Sequence, residues 1–357
     1  MDMEKNIYIG GEEFDRMMMR RALELAAHGR GSTSPNPMVG AVIVGPDGRV
    51  IGEGWHRRYG EGHAEVNAVA SVSDADRELL PRSTMYVTLE PCSHYGKTPP
   101  CARLIVEHSI PRVVVATLDP NEKVAGRGIA ILNEAGIHTE VGLLGAESRA
   151  LNKVFMTAHT LRRPFITLKW ARSADGFMDC DRKPGEPPFR FSTPLTTLET
   201  MKLRSCHDAI LTTAATVNAD RARLTVRSWE GRQPLRVVVD RSSSLSPDCP
   251  MLTDGAGEVL LLQDDIRLDE LMHRLFAEHG VTSVLVEAGP RFLGALIAEG
   301  LWDEARVESS PVVLADRGRH KTPVIADACL TDSYEVDGNL MTWLRRPGFP
   351  FAAPSKV

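Results

Sequence analysis

The chain has 357 residues, 43% hydrophobic and 25% charged, with a net charge of −5, which is material for two ordinary domains. That acidic balance speaks against a nucleic-acid partner, which basic surfaces grip, and is compatible with a small anion held by a few arginines. No apolar run approaches a membrane span, the polar start Met1–Gly10 lacks a signal-peptide pattern, and the six cysteines have no disulfide-framework spacing. The expectation is a cytoplasmic protein with free thiols and no membrane partner.

Residues 13–28 show helical periodicity, with Phe14, Met17, Met18, Ala22 and Leu25 on one face. Pro35-Asn36-Pro37 breaks any helix. Met38 to Gly45 and Arg49 to Trp55 read as strands joined by the turn Pro46-Asp47-Gly48. A helix over His63–Ser71, a strand over Thr84–Leu89, a helix over Pro100–His108 and a strand over Arg112–Thr117 follow. A helix near 128–136 and a strand near 138–142 complete an α/β alternation. Ala146 to Leu161 reads as one connecting helix. Beyond Arg162-Arg163-Pro164 a second α/β run has strands at Phe165–Trp170, Ala209–Thr212, Leu235–Val239, Glu258–Leu262 and Ser283–Val286. Its helices fall at 194–206, 268–279 and 290–299, with two more strands near 304–309 and 340–345. The division falls near residue 160, giving domains 1–158 and 159–357.

Within the first domain, His63-Ala64-Glu65 is followed by Pro91-Cys92 and, nine residues on, by Cys101. One imidazole and two thiols make a three-ligand zinc site with an open fourth position, and Glu65 is a carboxylate placed to move protons without binding the metal. Two residues apart inside a helix would point ~200° from one another, so His63 and Glu65 can serve one site only if the motif straddles a helix start. Cys92 and Cys101 bracket a Gly/Pro loop feeding the next helix, whose N-terminus favours thiolate. The expected chemistry is attack of activated water on an amidine-type carbon of a flat heterocycle, with Glu65 carrying the proton to departing ammonia. The competing readings are a closed structural zinc site with His94 as fourth ligand, or a buried His and two buried Cys without metal. Neither accounts for a carboxylate beside the first ligand.

Several segments resemble the bifunctional riboflavin-biosynthesis deaminase/reductase family. They are Pro35-Asn36-Pro37-Met38-Val39-Gly40, Gly62-His63-Ala64-Glu65, the long Thr88–Cys101 loop with its Ser-His-x-Gly-Lys-Thr-Pro-Pro, Asp119-Pro120-Asn121 and Val124-Ala125-Gly126-Arg127-Gly128. The resemblance implies a cytidine-deaminase-like three-layer domain followed by a dihydrofolate-reductase-like α/β domain. It implies one Zn2+ per chain, NADPH, and a phosphoribosyl pyrimidine substrate. The first domain would hydrolyse the 2-amino group of 2,5-diamino-6-(5-phosphoribosylamino)pyrimidin-4(3H)-one, with Asn36 at the sugar and Lys97, Thr98, Asp119 and Asn121 on the phosphoribosyl side. On their own, Asn36 and Asn121 read as turn residues beside prolines.

The second half, taken alone, is a nucleotide-compatible α/β domain: Glu287-Ala288-Gly289-Pro290 ends a strand and opens a helix whose N–H groups suit a phosphate. It has neither a Gly-x-Gly-x-x-Gly fingerprint nor a P-loop. By resemblance, Arg204 and Arg227 would clamp the substrate phosphate, and Lys169, Ser192, Leu224 and Glu287 would meet the sugar or base. Thr216, Asp220 and the run Gly289, Pro290, Arg291, Phe292, Leu293, Gly294, Ala295 would hold NADPH. Hydride would reach the aldehyde carbon of the opened sugar, and the developing alkoxide would take a proton from water or a lysine. Two departures stand out: Asp220-Arg221-Ala222 replaces the usual Asp-Asp-Pro, and Asp181–Phe191 diverges. They leave a deaminase with a weakened reductase-like domain as the alternative. The resemblance also implies a homo-oligomer, a dimer or tetramer. Gly10-Gly11-Glu12-Glu13-Phe14 spells a cyclic-dinucleotide cyclase motif by coincidence, since no strands precede it to form the hairpin; Glu12 and Glu13 suit a helix start. A nucleic-acid deaminase would need a basic, aromatic-rich second half, and a scaffold with structural zinc would be indifferent to Glu65→Gln.

Overall fold

The computed structural model describes residues 10–93, 99–121, 124–183 and 186–352. Two compact units emerge, one running to Leu161 and taking in the chain from Phe351, the other spanning Arg162–Pro350.

The first unit contains α1 (Glu12–Ala27), β1 (Gly40–Val44), β2 (Val50–Trp55), α2 (Ala64–Ala70), β3 (Thr84–Val87), α3 (Cys101–Glu107), β4 (Arg112–Val115), α4 (Arg127–Glu134), β5 (His138–Val141), α5 (Gly145–Leu151) and α6 (Lys153–Leu161). The sheet runs β2-β1-β3-β4-β5, with β1 antiparallel to both neighbours and β3, β4 and β5 parallel. Strand side chains alternate between faces, and both faces here are apolar. Val42, Val44, Tyr86 and Val114 pack with Phe14, Met18, Met19, Ala22 and Leu25 of α1. Ala41, Ile43, Met85, Val87, Val113 and Val115 pack with residues of α2, α3 and α4. The result is the expected three-layer sandwich. α2 lies so close to β2 that a Cβ on Gly54 would sit 2.3 Å from the Ala68 nitrogen, and this close approach fixes where α2 begins.

Two expectations change. Met17 is exposed and Met19 fully buried, so the buried face of α1 is centred further round than the apolar count suggested. The expected helix over 146–161 is two helices, broken at Asn152. The Asn152 side chain accepts from the Met38 N–H and donates to the Met38 carbonyl, both at 2.8 Å, which ties the break to the entrance of β1. The Gly-Gly-Glu-Glu-Phe segment is helical from Glu12, with Glu12, Glu13 and Asp15 in the first turn.

The second unit contains β6 (Phe165–Arg172), β7 (Phe177–Cys180), α7 (Pro194–Ser205), β8 (Ala209–Thr213), α8 (Ala214–Asp220), β9 (Leu235–Val239), α9 (Pro250–Thr253), β10 (Val259–Leu262), α10 (Leu268–Ala277), β11 (Ser283–Val286), α11 (Pro290–Ala298), β12 (Glu304–Ser309), β13 (Gly318–Lys321), β14 (Cys329–Val336) and β15 (Asn339–Arg345). The main sheet runs β10-β9-β8-β11-β6-β12-β15-β14. It is parallel from β10 to β12 and antiparallel at β15 and β14. Ile166, Leu168, Trp170, Val284, Val286, Ala305 and Val307 face one core with residues of α10 and α11. The opposite positions of β6 and β12 carry Lys169, Arg306 and Glu308. β7 and β13 form a separate ribbon.

Candidate functional site

His63 is the N-cap of α2, in extended conformation (φ −69°, ψ 167°). It precedes the helix, while Glu65 lies in its first turn, so the two converge as the spacing argument requires. Cys92 follows β3, and Cys101 opens α3. The His63 Nδ1 is 3.3 Å from the Cys101 sulfur and 3.6 Å from the Cys92 sulfur, and the three ligand atoms lie within 4.8 Å of one another. The Cys101 N–H donates to the Cys92 sulfur at 3.2 Å. Hydrogen bonding from the Cys101 thiol, and then from His63, pulls the Cys92 pKa down, while the same thiol–thiol contact and burial push Cys101 up. The pair therefore holds one thiolate readily, and a cation is what would make both thiolates. One nitrogen and two sulfurs at this separation fit zinc with a position left for water. Glu65 is 3% exposed. Burial first, and then the Cys92 charge, push it up to about 7, a value suited to a proton carrier. His94, Lys97 and Thr98 lie outside the described residues.

Asn36 is half-buried, and His56, which sequence reasoning did not single out, holds it. The Asn36 amide nitrogen is 3.3 Å from the His56 Nε2, and the His56 Nδ1 is 3.1 Å from the Gly62 carbonyl. An amide nitrogen only donates, so the His56 Nε2 accepts and its proton sits on Nδ1. Burial lowers the His56 pKa, in keeping with a neutral ring. This leaves the Asn36 amide oxygen directed elsewhere, available to a ligand. Asp119 and Asn121 lie beyond the carboxyl end of β4, where the Asp119 carboxylate accepts the Asn121 N–H at 2.8 Å. Open ligand crevices of α/β sheets sit at such strand ends.

In the second unit, the register places Leu168 beside Val286 and Lys169 beside Arg306, so Glu287, the next residue of its chain, falls next to Lys169. Burial lowers the Lys169 pKa, opposed by the charges of Glu287 and Glu308. Glu308 is fully buried and accepts from the Ser192 hydroxyl at 2.8 Å and the Asn339 amide at 2.7 Å. Arg204 makes a bidentate pair with Glu287 (2.7 and 2.9 Å), and its third nitrogen donates to the Thr225 carbonyl at 2.9 Å. Its fork is thus oriented by Glu287 and Thr225, with two of its five N–H donors not used in these bonds. Arg227 is exposed and makes no ion pair among the described residues. Partial burial, and then the charges of Arg204, Arg223 and Arg190, lower its pKa. Converging guanidiniums of this kind create an anion-seeking potential. Leu224 is buried in the core with Ile210, Val217 and Leu285, so only its backbone can meet a ligand.

The Thr216 hydroxyl accepts the Gly289 N–H at 3.2 Å, joining the starts of α8 and α11. Gly289 caps α11 without a side-chain partner, and Pro290 follows at its first position. Around Gly294 an added Cβ would meet nothing within 4 Å. The open space beside the start of α11 leaves room for a ligand phosphate at a helix N-terminus. Arg291, Phe292 and Ala295 lie along this helix, whereas the Leu293 side chain is core. Asp220 ends α8, and its carboxylate accepts from Arg182 at 2.6 Å; Arg182 also bonds Asp179 and the Ala219 and Glu186 carbonyls. The divergent segment is thereby anchored on Asp220. Arg221 is exposed, in left-handed conformation (φ 46°), and lies 3.7 Å from Asp248.

The model of the cytidine and deoxycytidylate deaminase zinc-binding region matches residues 12–117, and that of the RibD C-terminal domain matches 164–327. The riboflavin biosynthesis protein RibD of Bacillus amyloliquefaciens is 38% identical over 321 residues, 83% of this chain and 84% of the relative. That of Escherichia coli is 38% identical over 339 residues, 85% and 90%. Among solved structures, Acinetobacter baumannii RibD has a TM-score of 0.82 at 33% identity. A Thermotoga maritima diaminohydroxyphosphoribosylaminopyrimidine deaminase/5-amino-6-(5-phosphoribosylamino)uracil reductase has 0.81 at 31%; both matches cover 94% of this chain and 99% of the other.

Proposed function

This chain belongs to the RibD family of riboflavin-biosynthesis proteins, and from that premise we propose that it is a bifunctional enzyme whose units catalyse successive steps on one phosphoribosyl pyrimidine. The first deaminates 2,5-diamino-6-(5-phosphoribosylamino)pyrimidin-4(3H)-one, and the second reduces the ribosyl group of 5-amino-6-(5-phosphoribosylamino)uracil. The observation that carries the reading is the convergence of His63, Cys92 and Cys101 with the buried Glu65 beside them.

His63, Cys92 and Cys101 would hold the zinc, which supplies a Lewis acid that eases ionisation of water at neutral pH. Glu65 takes the water's proton and returns protons to the ring nitrogen and to ammonia as the C2–N bond breaks. Asn36, oriented by His56, together with Asp119 and Asn121, positions the ribosyl group, and Lys97 and Thr98 belong to the same family motif.

In the second unit Thr216, Asp220 and the start of α11 would hold NADPH, which supplies hydride to C1′. That carbon stays bonded to the pyrimidine's amino nitrogen, so the receiving group is the opened glycosylamine and not a free aldehyde. The C1′–O4′ bond breaks with its electrons on O4′, which needs a proton. Lys169, between two carboxylates, is placed to hand it over. The charges of Glu287 and Glu308 favour that ammonium, Ser192 would meet the sugar, and Arg227 the phosphate.

Among the described residues, no helix is long and apolar enough to cross a membrane, and we place the enzyme in the cytoplasm. Exposed Val313, Val324, Leu330 and Leu340 on the second unit support self-association as a dimer or tetramer, which light scattering would read. The deciding assay gives the purified chain the diaminopyrimidinone ribotide with and without NADPH and follows ammonia and NADPH separately. One ammonia per substrate in both cases, then one NADPH oxidised, is the expected result. Ammonia without oxidation would confine activity to the first unit.

A further inference from the structure

Glu90 follows β3, two residues before Cys92, and is 4% exposed. Its own N–H donates to the Thr117 carbonyl at 2.9 Å, so its backbone is pinned to the end of β4. Its carboxylate gathers the segment beyond β4. One oxygen accepts the N–H groups of Asp119 (3.2 Å) and Gly126 (2.9 Å); the other accepts Gly128 (2.9 Å) and, at the limit of reach, Ile129 (3.5 Å). No ion pair to Glu90 occurs among the described residues. α4 begins at Gly126, which has no side chain to cap it, and Glu90 supplies that function from a distant part of the chain. The contact is tight: a Cβ on Gly128 would sit 2.0 Å from the Pro91 carbonyl oxygen and 3.2 Å from the Glu90 carboxylate.

One side chain therefore joins the strand end leading to Cys92 with both ends of the loop carrying Asp119 and Asn121. We infer that Glu90 is a positioning residue for deamination: it fixes the loop that orients the ribosyl group against the metal-holding loop, so that the heterocycle and its sugar bind in one register. The inference rests on the proposed substrate. The physical reason is the acceptor count. A carboxylate can satisfy four convergent N–H groups, whereas an amide of the same shape turns two donor hydrogens toward them. Glu90→Gln thus breaks the joint without creating a cavity.

The test uses the full-length zinc-loaded enzyme and the diaminopyrimidinone ribotide, with E90Q and, independently, Gly128→Ala, which pushes the loop from Pro91 without altering any polar group. Expected in both is a rise in KM of about tenfold or more, as for loss of hydrogen bonds to a charged group, with kcat within about threefold and zinc still one per chain. Ammonia release from a substrate analogue lacking the ribosyl phosphate should be changed far less, a selectivity that mere loosening of the fold would not produce. Unchanged KM in both variants, loss of zinc, or equal loss with and without the ribosyl phosphate overturns the inference, as does failure of both variants to fold. If only one folds, its KM decides. Wild-type enzyme that releases no ammonia from the ribotide would instead refute the proposed reaction.

Discussion

Replacing Glu287 with Gln should separate the two activities and remove a calculable part of the second unit's stability. Burial raises the Glu287 pKa, but the Arg204 guanidinium outweighs it, and the carboxyl is held at about 2 against an ordinary 4.5. That difference corresponds to about 3 kcal/mol of folding free energy at neutral pH. Removal of one partner from a buried ion pair, typically about 3–5 kcal/mol, gives the same scale. A group whose pKa is lowered by folding contributes fully above its unfolded value and loses that contribution as pH falls through the folded one. The deficit of E287Q relative to wild type should therefore be constant at pH 6–8 and narrow as pH drops below about 4.5. Urea titrations at fixed pH values, with the unfolding transition of the second unit followed by its tryptophans, read the difference. NADPH oxidation should fall steeply, while ammonia release persists. A deficit under about 1 kcal/mol, one independent of pH below 4.5, or an equal loss of ammonia release would refute this account of the pair.

Chelation of zinc should abolish ammonia release yet leave NADPH oxidation intact when 5-amino-6-(5-phosphoribosylamino)uracil is supplied, because only His63, Cys92 and Cys101 form the metal cluster found among the described residues; the two assays on dialysed protein check it. Glu65→Gln should lower ammonia release at least a hundredfold with zinc retained by elemental analysis. Arg227→Ala should raise the reductase KM about tenfold for the phosphorylated substrate, with little change for its dephosphorylated form in parallel steady-state runs. His56→Phe should raise the deaminase KM by freeing the Asn36 amide, and substrate titrations at constant zinc content would show whether kcat is spared.

The metal-holding residues were legible because their placement is local. A histidine and a glutamate two apart can converge only at a helix start, and a cysteine that opens a helix after prolines has its direction set by the backbone. The alternation of apolar residues likewise announced most strands, but it missed Phe177–Cys180, Gly318–Lys321 and Cys329–Val336, which bury few apolar side chains. What escaped depends on pairings across long stretches of chain. The bidentate pairing of Arg204 with Glu287 joins positions 83 apart. His56 carries no local mark, since its role comes from Asn36 and Gly62. A signal did exist for Glu308: Arg306 and Glu308 alternate with Ala305 and Val307, which is what a strand with one charged face looks like.

The candidate residues of both units gather around parallel strands, but they are held there by opposite means. In the first unit, Cys101 and His63 are helix-start residues whose directions are set by backbone, and Glu90 ties loop to loop by accepting main-chain N–H groups. Side-chain identity in that joint matters chiefly at a single position. In the second unit, Lys169, Arg204, Glu287, Arg306 and Glu308 project from separate strands and a helix; the last four are hydrogen-bonded to other side chains, and Lys169 lies in the field of Glu287 and Glu308. Removing any one leaves a buried partner uncompensated. The reductase site should therefore tolerate single substitutions less well than the deaminase surroundings. It should also fail as a group, with double substitutions such as Arg204→Met with Glu287→Leu costing less stability than the sum of the single ones. Strict additivity in that cycle would mean that the charges act separately and that the cluster has no collective role.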